Sequence, residues 1–157
     1  NIKIHIKMKY TFNTLEEVKT AIEQWFKDLG YDNSERAEKQ YLKCIAELGE
    51  VADEICKENT ESLKLEIGDL GVTIIGLALQ RNETIFYRGG INWDLKDTIS
   101  NIVCELNGEL LEAFGWYSDL VYSLDLDILQ CLTLAYNKIQ ARLENGQLKV
   151  INGTIRK

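Results

Sequence analysis

The stretch Glu66-Ile67-Gly68-Asp69-Leu70-Gly71-Val72-Thr73-Ile74-Ile75-Gly76-Leu77-Ala78-Leu79 decides the fold. From Leu70 to Leu79 it carries no charge, and at ~100° per residue its apolar side chains fall on every side of a helix. Such a helix has no face suited to water and is expected at the centre of a helical bundle. Glu66 and Asp69, three residues apart, project from one face. Around them on the helical wheel lie Leu65, Leu70, Val72, Thr73, Gly76 and Leu77. Burying an unpaired carboxylate costs several kcal/mol, and two within one turn repel each other. The pair requires a cation or a proton.

A second acid pair lies upstream, in Glu47-Leu48-Gly49-Glu50. Asn59-Thr60-Glu61-Ser62 reads as a short turn between the two helices, so they should run antiparallel and touch. Glu47, Glu50, Glu66 and Asp69 would then converge, an arrangement that holds a hard divalent cation such as Mg²⁺. Taken alone, the second helix needs no ligand. Lys43, Glu47, Glu50, Glu54 and Glu58 share one arc; Tyr41, Cys44, Ile45, Leu48, Val51, Ala52, Ile55 and Cys56 share the other, as on any solvated amphipathic helix. The charged pair on an apolar third helix is what favours a metal.

Working outward, Thr14-Leu15-Glu16-Glu17 is a capping box, followed by Leu15, Val18, Ile22, Trp25 and Leu29 at helical spacing before Gly30. The second helix is expected from Ser34 to Glu58 and the third from Glu61 to Arg81. A loop should cover Asn82 to Asn92, with a fourth helix from Asp94 to Tyr117 and a fifth from Asp125 to Asn145-Gly146. Alternation around Asn152-Gly153, from Leu148 to Ile155, predicts a hairpin. The whole is an all-α antiparallel bundle of about five helices with a short C-terminal β-hairpin. In the fourth helix Glu105, Glu109 and Glu112 echo the acid motif, but nothing downstream pairs with them on an apolar helix; they read as a solvated face.

With 157 residues and 45% apolar content the chain can build one well-buried core. No apolar run approaches the ~20 residues of a membrane span, and no signal-peptide pattern opens the sequence, so a cytoplasmic protein without membrane contact is expected. The net charge of −7 and the absence of a basic stripe disfavour nucleic acid. Three or four of Cys44, Cys56, Cys104 and Cys131 should be small core hydrophobes. Met8 is a candidate initiator, leaving residues 1–7 as a tail outside a single domain over 8–157. His5, the only histidine, lies on that tail, which excludes Ser-His-Asp and Cys-His catalysis.

In the fifth helix Ile128, Cys131 and Ala135 lead at heptad spacing into Lys138 and Arg142, which aims two cations at the bundle. They either complement the helix C-terminus or clamp phosphates opposite the acids.

These residues resemble the MazG-like all-α nucleoside triphosphate pyrophosphohydrolases, in the small stand-alone or phage-type form. The resemblance rests on ExxE, a spacer and ExxD; on Ile22-x-x-Trp25 and Gln40-x-x-Lys43 upstream; and on Ala135-Tyr136-Asn137-Lys138-Ile139-x-x-Arg142 with Ile151-Asn152-Gly153-Thr154-Ile155-Arg156-Lys157 downstream. Many members have Glu-Glu where this chain has Ala46-Glu47. The resemblance implies Mg²⁺-dependent hydrolysis of a ribo- or deoxyribonucleoside triphosphate to the monophosphate and pyrophosphate, with Mn²⁺ as a substitute ion. Glu47, Glu50, Glu66 and Asp69 would hold the metal, and Glu47 or Glu50 would act as base. Lys43, Lys138 and Arg142 would contact phosphates, and Trp25, Tyr136 and Asn137 would contact base or sugar. A homodimer or higher homo-oligomer is also implied, and the all-round apolar third helix argues for it independently.

Three rivals share part of the pattern. A ferritin-like di-iron bundle needs Glu-x-x-His pairs that are absent here. A non-catalytic helical oligomerisation module leaves Glu66 and Asp69 unexplained. A phosphoribosyl-ATP pyrophosphohydrolase fits the long fifth helix and the terminal hairpin less well.

Overall fold

The computed structural model describes the backbone of residues 6–151 and 154–156 and the side chains of residues 6–148. Among them are six α-helices: α1 (Leu15–Asp28), α2 (Ala37–Lys57), α3 (Thr60–Gln80), α4 (Leu95–Leu106), α5 (Leu110–Ser123) and α6 (Ile128–Glu144). A 3-10 turn over Ser34–Arg36 leads into α2. The chain is all-helical as expected, with six helices rather than five.

Local sequence sets the helix starts. Thr14 accepts a hydrogen bond from the Glu17 N–H, and the Glu17 carboxylate reaches back to the Asn13 N–H at 2.7 Å. Asn59, Asp94 and Asp127 cap α3, α4 and α6 with their side chains. Between α2 and α3 the chain reverses within Glu58 and Asn59, Glu58 adopting a left-handed conformation.

The single long fourth helix expected from Asp94 to Tyr117 is two helices. Asn107-Gly108 breaks it, and side chains from the end of α3 satisfy both broken ends. Arg81 donates to the carbonyls of Leu106 and Gly108, while Glu83 accepts from the Leu110 N–H. The acids there make local contacts: Glu105 accepts from the Glu109 N–H and Glu112 pairs with Arg88. The loop before α4 is pinned by buried Asp119, which accepts from the Ile91 N–H and the Trp93 indole.

Helix α3 is the axis, contacting α1, α2, α5 and α6. Its residues from Leu63 to Gln80 are mostly buried within this one chain. The expectation that a second subunit must cover α3 is thereby corrected: four helices of the same chain already surround it. Glycines permit the closest approaches. A Cβ on Gly68 would strike the Cys131 carbonyl oxygen and the Ala135 Cβ, and one on Gly71 would strike the Tyr117 ring. Tyr117, wholly buried, donates to the Ile67 carbonyl at 2.8 Å. Only Cys44 and Cys131 are buried; Cys56 and Cys104 are exposed, because each lies at the edge of its apolar stripe.

Near the C-terminus, Lys149–Ile151 and Thr154–Arg156 are assigned as paired antiparallel segments. The turn of the expected hairpin, Asn152-Gly153, lies outside the described residues. No helix among the described residues is long and apolar enough to cross a membrane.

Replacing Gly68 by alanine should separate α3 from α6 and destabilise the protein by about 1–3 kcal/mol. Gly49→Ala, where an added Cβ meets nothing within 4 Å, should be neutral or stabilising. Urea denaturation midpoints check the pair, and equal midpoints would contradict the packing described.

Candidate metal and phosphate site

Helices α2 and α3 run antiparallel. Gln40 donates to the Thr73 carbonyl at 3.0 Å, while Glu47, further along α2, approaches Glu66 and Asp69, nearer the start of α3. One carboxylate oxygen from each of Glu47, Glu66 and Asp69 lies within 4.8 Å of the others. These three acids open into a cleft of about 800 Å³.

Each acid is partly compensated. Glu47 is buried, and its carboxylate takes an ion pair from Lys43, one turn earlier, at 2.6 Å. Asp69 pairs through Oδ2 with the ammonium of Lys138. This meeting follows from the Gly68 contact: with α6 against α3 at Cys131 and Ala135, the next turn of α6 brings Lys138 to Asp69. The other Asp69 oxygen, Oδ1, is buried and has no hydrogen-bond partner among the described residues. A buried carboxylate oxygen without a donor is costly, and an oxygen-seeking cation would satisfy it.

The electrostatics point the same way. Burial pushes the Asp69 carboxyl above the usual carboxylate range, against the lowering effect of the Lys138 ammonium; Glu47 adds to the rise. Burial also raises Glu66, reinforced by the charges of Asp69, Glu47 and Glu50 and opposed by Lys138. Two ammoniums, Lys43 on Glu47 and Lys138 on Asp69, face three carboxylates.

Of the sequence-derived candidates, Lys43, Glu47, Glu50, Glu66, Asp69, Lys138 and Arg142 all line this cleft. Glu50 is exposed and stands outside the close trio. Trp25, Tyr136 and Asn137 do not line it. Tyr136 stacks on Trp25 with centroids 4.2 Å apart, and Tyr10 and Phe12 pack edge-on against it. The Trp25 indole donates to Gln140. Asn137 is buried and clasps the N-terminal segment, accepting from the Lys9 and Tyr10 N–H groups and donating to the Tyr10 and Thr133 carbonyls. The base or sugar contact expected of them gains no support from this arrangement: they lie off the cleft and join α1, α6 and the N-terminal segment.

Sequence reading left Tyr31, Thr73 and Gln80 without a role, yet they line the cleft too. Gln80 had a signal. It is the one strongly polar side chain after Asp69 on an otherwise apolar helix, three helical turns further along the same side.

A carboxyl whose folded pKa is raised contributes stability below its unfolded pKa and loses it as pH rises through the folded value. In chelator-treated protein, Glu66→Gln should therefore be at least as stable as the parent at neutral pH. That advantage should shrink as pH falls through the raised Glu66 pKa toward the ordinary carboxylate range. Thermal melts across that window check this; an advantage that grows on acidification would contradict it.

No family model matches the chain, and no solved structure matches it. The sequence is similar to an uncharacterised 18.2 kDa protein from the rep-hol intergenic region of Haemophilus phage HP1 (strain HP1c1), with 31% identity over 68 residues. That alignment covers 43% of this chain and 42% of the phage protein.

Proposed function

We propose that this protein hydrolyses a ribo- or deoxyribonucleoside triphosphate to the monophosphate and pyrophosphate, in the manner of the MazG-like enzymes it resembles, with Mg²⁺ as cofactor and Mn²⁺ as substitute. The supporting observation is the convergence of Glu47, Glu66 and Asp69 in a cleft that also carries Lys43, Lys138 and Arg142. Carboxylates suit a hard cation and the ammonium and guanidinium groups suit phosphates, so both halves of a metal–polyphosphate complex find partners.

In this reading Glu47, Glu66 and Asp69 would hold the metal, Asp69 offering an oxygen, Oδ1, that has no hydrogen-bond partner among the described residues. When bound, the ion supplies Lewis acidity toward phosphoryl oxygen and lowers the pKa of water. Glu50 lines the cleft, is exposed and has no ion pair among the described residues, and is the carboxylate left to accept the proton of an attacking water. Glu47 is less suited to that role because Lys43 already engages it. Lys138 pairs with Asp69 and, with a metal held by the acids, would be placed to contact the departing pyrophosphate. Arg142, one turn further along α6, extends that positive edge.

A homodimer belongs to the same proposal, on a different surface from the one expected. Phe86, Tyr87, Ile91, Val103 and Tyr122 are each at least 41% exposed around the α3–α4 loop and its neighbours, and would form the contact. Light scattering at micromolar concentration tests it, with a monomer as the contrary result.

A panel of ribo- and deoxyribonucleoside triphosphates with Mg²⁺, scored for pyrophosphate against orthophosphate, tests the reaction. Release of orthophosphate alone would sink it. Glu50→Gln should lower kcat about 100-fold or more without unfolding the protein. Asp69→Asn should abolish turnover and remove the thermal stabilisation given by Mg²⁺.

The two cations of α6 should behave differently. Arg142→Ala should cost ~1.5–3 kcal/mol in kcat/KM, one to two decades, with apo stability unchanged. Lys138→Ala should also destabilise the apo protein by about 1–3 kcal/mol at neutral pH, because Asp69 loses its counter-ion. Identical stability profiles for the two variants would contradict this division.

A further inference from the structure

The cleft continues along α3 beyond the acids. Gln80 lies ~16 Å past Asp69 at 1.5 Å rise per residue, and both line the same cleft, with Val72, Phe26 and Tyr31. Gln80 is 4% exposed and Tyr31 is 5% exposed, so this is the deep end.

Two polar atoms there are unpartnered among the described residues: the Gln80 Oε1 and the Tyr31 hydroxyl. Neither is free to turn away. The Gln80 amide nitrogen donates to the Tyr31 carbonyl at 2.9 Å, which fixes the amide and leaves Oε1 as a committed acceptor. The Tyr31 ring is held beneath the Arg36 guanidinium, 3.9 Å from its centroid. The phenyl edge of Phe26 packs over Gly76 on α3 and forms part of the apolar lining of the cleft.

Buried acceptors and hydroxyls are normally satisfied, and two orphans lining one cleft point to a ligand that satisfies them. A bare carbonyl oxygen repels phosphate oxygens and accepts from N–H or O–H; Phe26 and Val72 beside it suit the faces of a flat heterocycle better than a hydroxyl-rich sugar. We propose that the deep end of the cleft recognises the heterocyclic base of the nucleotide. A ring or exocyclic N–H donates to Gln80 Oε1, the Tyr31 hydroxyl bonds a neighbouring ring nitrogen or carbonyl, and Phe26 and Val72 cover the ring faces. This rests on the pyrophosphohydrolase reading for the placement of the phosphates at the acids. The distance along α3 separates phosphate binding from base selection.

The test is binding with Mg²⁺ of non-hydrolysable α,β-methylene nucleoside triphosphates of each common base, set against inorganic tripolyphosphate, measured by calorimetry. The parent protein should bind at least one nucleotide more tightly than tripolyphosphate. Tyr31→Phe should weaken that nucleotide about tenfold and leave tripolyphosphate unchanged. Its apo melting temperature should hold or rise, since no hydrogen bond among the described residues is lost. Gln80→Leu should do the same to binding, but it also removes the bond to the Tyr31 carbonyl, so Tyr31→Phe decides if Gln80→Leu fails to fold. The inference is overturned if tripolyphosphate binds as tightly as every nucleotide, or if Tyr31→Phe leaves the nucleotide preference intact. In the latter case continued pyrophosphate release keeps the hydrolase reading. Loss of base-dependent binding in Tyr31→Phe of a protein that releases no pyrophosphate sustains the pocket and removes the reaction.

Discussion

The meeting of Asp69 and Lys138 across the α3–α6 contact governs the rest of the molecule. A carboxylate on a helix that is otherwise buried must be charged against a low-dielectric surround, and one ammonium offsets only part of that cost. The residual imbalance raises Asp69 and Glu66 above the ordinary carboxylate range. Asp69 Oδ1 has no donor among the described residues. Stability and function oppose each other here: the features that would seat a cation are the ones that strain the metal-free fold.

That contact depends on glycine. Because Gly68 has no side chain, α6 settles against α3 with the Cys131 carbonyl and Ala135 in the gap, and the following turn delivers Lys138 to the acids. Gly71 admits the Tyr117 ring from α5 in the same way, and the hydroxyl it brings satisfies the Ile67 carbonyl. The acid pair and the glycines are interleaved on α3, so the residues that position the site are also those that pack the core.

Compensation in the cleft is graded from one end to the other. At the acid end, charged groups meet partners that a cation could displace or join: Lys43 on Glu47 and Lys138 on Asp69. At the Gln80 end the two buried groups without a partner among the described residues, Gln80 Oε1 and the Tyr31 hydroxyl, are neutral, and the Arg36 guanidinium lies over the Tyr31 ring. A ligand spanning both ends would have to be polyanionic at one and an uncharged hydrogen-bonding ring at the other.

By itself the sequence determined the helical class, because the 3.6-residue spacing of apolar side chains and the capping box at Thr14 are local signals. It also placed α3 at the centre and brought Glu47, Glu50, Glu66 and Asp69 together, since a short turn leaves adjacent helices little choice of arrangement; only the structure sets Glu50 outside the close trio. Tertiary structure alone decided the rest. The break at Asn107-Gly108 holds because Arg81 and Glu83, distant in sequence, satisfy the two helix ends it creates. Trp25, Tyr136 and Asn137 look like ligand-binding side chains in the sequence, and only the packing of α1, α6 and the N-terminal segment shows them already engaged. Tyr31 and Gln80 enter the cleft through a side chain-to-carbonyl bond spanning 49 residues, which no local periodicity encodes. Periodicity fixes which way a side chain points from its own helix; what it meets there is set by the other helices.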